Sequence, residues 1–163
     1  MEQRLPYFRT YDVRGIFPDE VNADLAYKLG RAVVAWSGAK EVIVGRDARL
    51  SSPALAEVLI DGLRAGGATV LDVGLATTPM LNYAVARWRR HGLMVTASHN
   101  PKEYNGVKVI DPGVEQVYYG RGLERLEELL VTQRFTVGGT RGGLTLRTIL
   151  PEYEAMIAAR FRE

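Results

Sequence analysis

Twice between residues 41 and 90, a short apolar run is followed by a Ser-Pro or Thr-Pro pair and then a helical repeat. This alternation leaves few architectures open, because strands joined by helical crossovers lie parallel in one sheet, with right-handed connections. Glu41 to Gly45 carries Val42-Ile43-Val44, a short buried strand. Ser52-Pro53 supplies an N-cap with proline at the first helical position. Leu55, Leu59 and Leu63 follow, and Gly66-Gly67 ends the helix. Thr69 to Val73 predicts a second strand, Thr78-Pro79 opens a helix to about Arg90, and Gly92 to Thr96 is a third strand. Upstream, Asn22 or Asp24 caps a helix to about Trp36, with Leu25, Leu29, Val33 and Trp36 on one face and Gly38 as its stop. Residues 7–20 read as a loop or short extended segment.

The next connection breaks the pattern. Ten residues separate Thr96 from Val107, with no helical spacing among them. That is short for a parallel crossover, so Val107 to Ile110 is expected to return antiparallel as an edge strand. Asn105-Gly106 offers the turn chemistry for the return. Arg121 to Val131 reads as a helix with Leu123, Leu126 and Leu130 aligned, and Gly138-Gly139 and Gly142-Gly143 bracket a flexible turn. A last helix from about Pro151 to 162 presents Tyr153, Met156, Ile157 and Phe161 on one side. The expected fold is a three-layer α/β/α domain with a mixed, mostly parallel sheet and an antiparallel edge strand, its main body covering about residues 1–150.

At 163 residues the chain is the length of one ordinary domain, and 47% hydrophobic residues suffice for a core. A formal charge of +2 lacks the clustered basic character of a nucleic-acid binder, although a few arginines can serve a small anion. Cysteine is absent, which excludes disulfides and thiolate metal sites. The start, Met1 to Pro6, has no apolar run, and no stretch approaches the ~20 apolar residues of a membrane helix. A cytoplasmic protein with no nucleic-acid or membrane partner is expected.

Ligands of open α/β sheets bind beyond the carboxyl ends of the strands. Three loops leave such ends here: Gly45 to Ser52, Gly74 to Thr78, and Ala97-Ser98-His99-Asn100-Pro101. The third concentrates a hydroxyl, an imidazole and an amide, with Lys108 following. A hydroxyl can accept a phosphoryl group while donors and cations hold its oxygens. Each part also has an ordinary structural use. Ser98 and His99 can be local hydrogen-bonding residues, Arg46 and Asp47 can pair at a helix entrance, and Lys108 can guard a sheet edge. Residues 11–15 can be an N-terminal strap. No Gly-x-Gly-x-x-Gly, Walker lysine, nucleophile elbow or metalloprotease histidine pair competes for the site.

Thr96-Ala97-Ser98-His99-Asn100-Pro101 resembles the phosphoserine signature of the α-D-phosphohexomutases, and Tyr104-Asn105-Gly106 with Lys108 resembles its extension. Tyr11-Asp12-Val13-Arg14-Gly15 is similar to the family's opening motif, and Val44 to Arg49 to its loop after a strand. The Tyr-Asp-Val-Arg-Gly opening and Tyr104 look more like the phosphomannomutase/phosphoglucomutase branch. The resemblance implies interconversion of hexose 1-phosphate and hexose 6-phosphate through phosphorylated Ser98 and a bisphosphosugar, which also acts as activator. It implies catalytic roles for Ser98, His99, Lys108 and Arg14, with Lys108 or His99 moving the proton. Tyr11, Arg14, Asn100 and Lys108 would bind the phosphosugar, while Arg46, Asp47 and Arg49 shape the loop.

It further implies Mg²⁺ in the complete enzyme, held in part by the Ser98 phosphate. The remaining metal ligands are absent here, since the family's alternating-aspartate run comes from a second domain and this chain contains no Asp-x-Asp. The chain is therefore expected to be the first domain of a larger mutase, inactive alone, with its final helix leading into a missing second domain. If that helix's apolar side faces absent domains, the fragment is expected to self-associate. The alternative is a stand-alone, non-catalytic module binding phosphosugars or a partner protein; a flavodoxin-like nucleotide domain is a weaker third reading.

Overall fold

The computed structural model describes residues 4–135 and 139–161. Its elements follow the order β1 (Val13–Ile16), α1 (Ala23–Ser37), β2 (Glu41–Arg46), α2 (Ser52–Ala65), β3 (Thr69–Leu75), α3 (Thr78–Trp88), β4 (His91–Val95), β5 (Tyr104–Ile110), α4 (Leu123–Thr132), β6 (Leu144–Leu146) and α5 (Leu150–Arg160). Six strands form one sheet in the order β1-β5-β4-β2-β3-β6. The strands β4, β2, β3 and β6 pair in parallel, and β5 runs antiparallel to both neighbours.

The layers follow from the two-residue repeat of a strand, which sends alternate side chains to opposite faces. Val42, Val44, Leu93, Val95, Val107 and Val109 join α1, α2 and α4 in one core. Ile43, Met94 and Ile110, from the same strands, join α3 and Ile149 in the other. Asn22 caps α1, its side chain accepting the Leu25 N–H at 3.0 Å, and Gly38 closes the helix in the left-handed region at φ 64°. The cap residues of the next two helices sit one position earlier than the sequence suggests. Ser51 precedes α2 and Thr77 caps α3, because proline then falls in the first turn with Ser52 and Thr78 already helical.

Other expectations are corrected. The antiparallel return of β5 is found, but β5 is one strand in from the edge. Val13–Ile16, within the segment read as loop or extended chain, pairs along its outer side. Asn105-Gly106 is strand rather than turn: a Cβ on Gly106 would meet the Val13 carbonyl oxygen at 2.1 Å, so glycine is what lets β1 approach. The reversal lies earlier, where the Asn100 N–H donates to the Ala97 carbonyl and the Tyr104 N–H to Pro101, both at 3.1 Å. Gly142-Gly143 is no free turn either. It is held by the Gly142 N–H on the Arg64 carbonyl at 2.9 Å and by Val70 N–H on Gly143 at 3.0 Å, and leads into β6. Gly138 and Arg162 lie outside the described residues.

The helix α5 begins at Leu150 and meets α3 through Tyr153 and Tyr83, ring centroids 5.7 Å apart. It buries no residue fully, and Ile157 and Phe161 are exposed. At the amino end, Arg4 lies 3.4 Å from the ring centroid of Tyr119, whose hydroxyl donates to Glu127. Burial, then Glu127, pushes the Tyr119 phenol pKa upward. Among the described residues no helix is long and apolar enough to cross a membrane.

The α1–α2 contact depends on Gly62, where a Cβ would stand 2.1 Å from the Tyr27 carbonyl oxygen. Helix propensity alone would make Gly62→Ala stabilising by about 1 kcal/mol. Backbone overlap reverses the sign, and a net loss of roughly 1–3 kcal/mol is expected in urea unfolding. A gain in stability would contradict this packing.

Candidate active site around Ser98

The helices α2 and α3 leave β2 and β3 on opposite faces of the sheet, so the order reverses beside β2 and opens a crevice beyond the carboxyl ends of β2 and β4. The loops after these two strands, Arg46–Ser52 and Thr96–Pro101, meet there. Asp47 N–H donates to the Val95 carbonyl at 3.0 Å, carrying the sheet's pairing one residue beyond the strands.

The Asp47 carboxylate organises both loops. Oδ2 accepts the Thr96 hydroxyl at 2.7 Å, and Oδ1 accepts the Ser52 hydroxyl at 2.6 Å and the Arg49 N–H at 3.1 Å. The Thr96 oxygen in turn accepts the Ser98 N–H at 2.9 Å. Arg49 grips the same loop from below: its Nη1 donates to the carbonyls of Pro101 and Tyr104, its Nη2 to those of Ser98 and Asn100, at 2.7–3.1 Å. Arg49 Nε stands 3.3 Å from Asp47 Oδ2 as an ion pair but is not aligned as a hydrogen bond. Buried Asn105 completes the base, donating to Ser51 and Ser52 hydroxyls at 2.7 and 3.0 Å.

This scaffold holds Ser98 at φ 57°, left-handed for a residue with a side chain. Such a conformation costs a serine about 1 kcal/mol and persists because the surrounding bonds over-determine it. Ser98 and His99 are exposed at the tip of a loop whose preceding residues, Thr96 and Ala97, are buried. His99 Nδ1 lies 3.4 Å from Ser98 Oγ, a long contact whose donor depends on the tautomer.

Beside the loop lies a second charged group. Asp12, 3% exposed, accepts Lys108 Nζ at 2.9 Å and Arg14 Nη2 at 3.0 Å on Oδ2. Arg14 Nη1 reaches across to Asn100 Oδ1 at 2.7 Å. Removing one partner from a buried ionic group of this kind typically costs about 3–5 kcal/mol. An open cavity of about 420 Å³ adjoins it, lined by Arg9, Thr10, Tyr11, Arg14, Asn100 and Tyr104. Tyr11 is 60% exposed there, its ring centroid 6.0 Å from that of Tyr118. A larger cavity, about 540 Å³ against α4, includes none of these residues.

The structure thus joins Lys108 to Arg14 through Asp12 and Arg14 to Asn100 directly, and places Tyr11 on the same cavity as Arg14 and Asn100. Of the three residues that the resemblance implies shape this loop, Asp47 and Arg49 hold it by hydrogen bonds, while Arg46 is the last residue of β2. Asp12, Thr96 and Asn105 also build the site: they fall inside the sequence motifs, but only their burial reveals what each holds. Lys108 is not an edge lysine, because β1 covers its strand. For a metal ion the chain is a poor fit alone. Among the described residues no group of three histidine or acidic side chains could hold one, and Asp12 and Asp47 are both occupied by donors.

Arg49→Lys would keep the charge but lose the planar fork. Amide exchange at Ser98, Asn100 and Tyr104 is expected to rise roughly tenfold while Val44 and Leu93 stay protected. Unchanged exchange in the loop would show that Arg49 does not hold it.

The chain matches the family described as phosphoglucomutase/phosphomannomutase, alpha/beta/alpha domain I, over residues 5–117. It is 42% identical over 150 residues to a phosphomannomutase/phosphoglucomutase of Pseudomonas syringae pv. tomato, covering 90% of this chain and 31% of that protein. It is 35% identical over 159 residues to a phosphoglucomutase of Neisseria meningitidis serogroup B, covering 95% and 34%. A crystal structure of a phosphoglucomutase/phosphomannomutase family protein from Burkholderia thailandensis superposes with a TM-score of 0.82 at 35% identity, over 90% of this chain and 34% of that one. The chain spans about a third of the length of these relatives. With the signature loops matched in sequence and the α/β/α layers matched in space, the chain belongs to the phosphoglucomutase/phosphomannomutase family and corresponds to its first domain.

Proposed function

We propose that Ser98 is the phosphoryl carrier of a hexose-phosphate mutase acting between the 1- and 6-positions of the sugar. The observation that carries this reading is the exposed, left-handed Ser98 on a loop fixed by Asp47 and Arg49, with Arg14 tied to that loop through Asn100 and Lys108 sharing its Asp12 carboxylate. In the forward half-reaction the bond from phosphorus to Ser98 Oγ breaks and a bond to a sugar hydroxyl forms. The hydroxyl proton passes to the His99 imidazole, which returns a proton to Ser98 Oγ so that serine leaves as an alcohol. The Lys108 ammonium, ion-paired with Asp12, donates to the phosphoryl oxygens. The bisphosphosugar then returns its other phosphoryl group to Ser98 by the same steps in reverse, yielding the isomeric monophosphate.

The protein's share of such a transfer is mainly positioning and charge neutralisation. A phosphoserine brings about −1.5 to −2 charges, and Arg14 with Lys108 faces that charge. Tyr11 and Asn100 would line the sugar side. Mg²⁺, a bisphosphosugar activator and further substrate contacts belong to the complete protein, as does a second domain reached through α5. A cytoplasmic setting suits the phosphosugar substrate. The resemblance of the Tyr11–Gly15 opening and Tyr104 to the phosphomannomutase/phosphoglucomutase branch supports a hexose phosphate of that branch as substrate.

In the full-length protein, Ser98→Ala should reduce interconversion of glucose 1-phosphate and glucose 6-phosphate by at least about 10³-fold, comparable to loss of a covalent carrier. The purified 163-residue chain should show no turnover but recover it when the remaining domains are supplied. Full activity of Ser98→Ala would refute the carrier role. Phosphosugar binding by the chain alone, indifferent to Mg²⁺ and unaccompanied by activity in the complete protein, would instead favour a binding module.

A further inference from the structure

Asp12 is the only buried charged side chain among the described residues. Lys108 Nζ and Arg14 Nη2 share its Oδ2, at 2.9 and 3.0 Å, so these two nitrogens cannot be farther apart than the sum of those distances. Oδ1 accepts Arg14 Nε and Nη2 at 3.2 and 3.1 Å, which fixes the plane of the guanidinium. Lys108 and Arg14 are themselves only 16% and 22% exposed. Two cations this close repel unless a carboxylate stands between them.

The arrangement is directional as well as neutralising. With its Nε and Nη2 committed to Asp12, Arg14 offers Nη1 to Asn100, two residues beyond Ser98. Lys108, on the strand next to β4, donates to Asp12 alone among the described residues and keeps two N–H donors for a ligand. By charge alone a carboxylate beside a phosphoryl group is unfavourable. Its burial under two cations makes sense if orientation outweighs that repulsion.

We propose that Asp12 is a positioning residue for the phosphoryl site: it gathers Lys108 and Arg14 onto one point and sets how both meet the group carried by Ser98. This rests on the carrier reading of Ser98. It extends that reading by making the two cations one unit rather than independent contacts.

The test uses the 163-residue chain and inorganic phosphate, followed by NMR shifts of backbone amides and the Arg14 Nε. Wild type should respond at Ser98, Asn100 and Arg14. Asp12→Asn should bind phosphate roughly tenfold more weakly, in the range seen when a group orienting a ligand-binding side chain is lost, with Asp12→Glu in between. Equal or tighter binding by folded Asp12→Asn, the outcome that charge alone dictates, would overturn the proposal. Hydrogen-bond couplings from the Asp12 carboxyl carbon to Arg14 Nε and Lys108 Nζ give a second readout in wild type, needing neither a variant nor phosphate. Coupling to both is expected, and coupling to only one would also overturn it. If wild type gives no phosphate response while both couplings are present, the Asp12 clamp stands but its role at a phosphoryl site is overturned. The carrier reading itself falls only with full activity of Ser98→Ala in the complete protein.

Discussion

The carboxylate of Asp47 is where the sheet becomes a site. It ties the loop after β2 to the amino end of α2 through Ser52, and to the end of β4 through Thr96. Thr96 passes the constraint to the Ser98 amide, and Arg49, whose own amide rests on Asp47, takes the loop's carbonyls. Hydrogen bonds involving a charged partner are roughly twice as strong as neutral ones, so this cluster can hold a serine in a conformation it would not choose. Neither Asp47 nor Arg49 has to touch a substrate for the geometry to depend on them.

Two charged assemblies therefore divide the work. Asp47 and Arg49 fix the backbone of the serine loop, while Asp12, Arg14 and Lys108 supply charge beside it. They join at Asn100, whose carbonyl accepts Arg49 and whose side chain accepts Arg14. The second assembly exists only because β1 pairs outside β5, which brings residues 12–14 against Lys108's strand. An N-terminal segment too short to stand out as a strand thus completes both the sheet and the cation cluster.

The layered architecture was legible because buried strands and capped helices have short-range signatures: Val42-Ile43-Val44, Pro53 and Pro79, and the Gly38 stop all fell where the sequence put them, within a residue or so. β1 and β6 were harder. At four and three residues they carry little periodicity, and their pairing is decided by partners distant in sequence. Asn105-Gly106 misled for a related reason. Its turn-forming chemistry is real, but here glycine serves a close backbone approach and asparagine a buried hydrogen-bond hub. The serine loop itself was visible through a motif, whereas Asp12 and Thr96 show their roles only once burial and distances are known.

The most direct measurement is phosphopeptide mass spectrometry of the full-length protein equilibrated with a hexose 1,6-bisphosphate and then exposed to excess hexose monophosphate. Phosphoryl carriage by Ser98 predicts one phosphoryl group in the first sample, on Ser98, and its loss in the second. A phosphoryl group on any other residue, or none after equilibration, would contradict it.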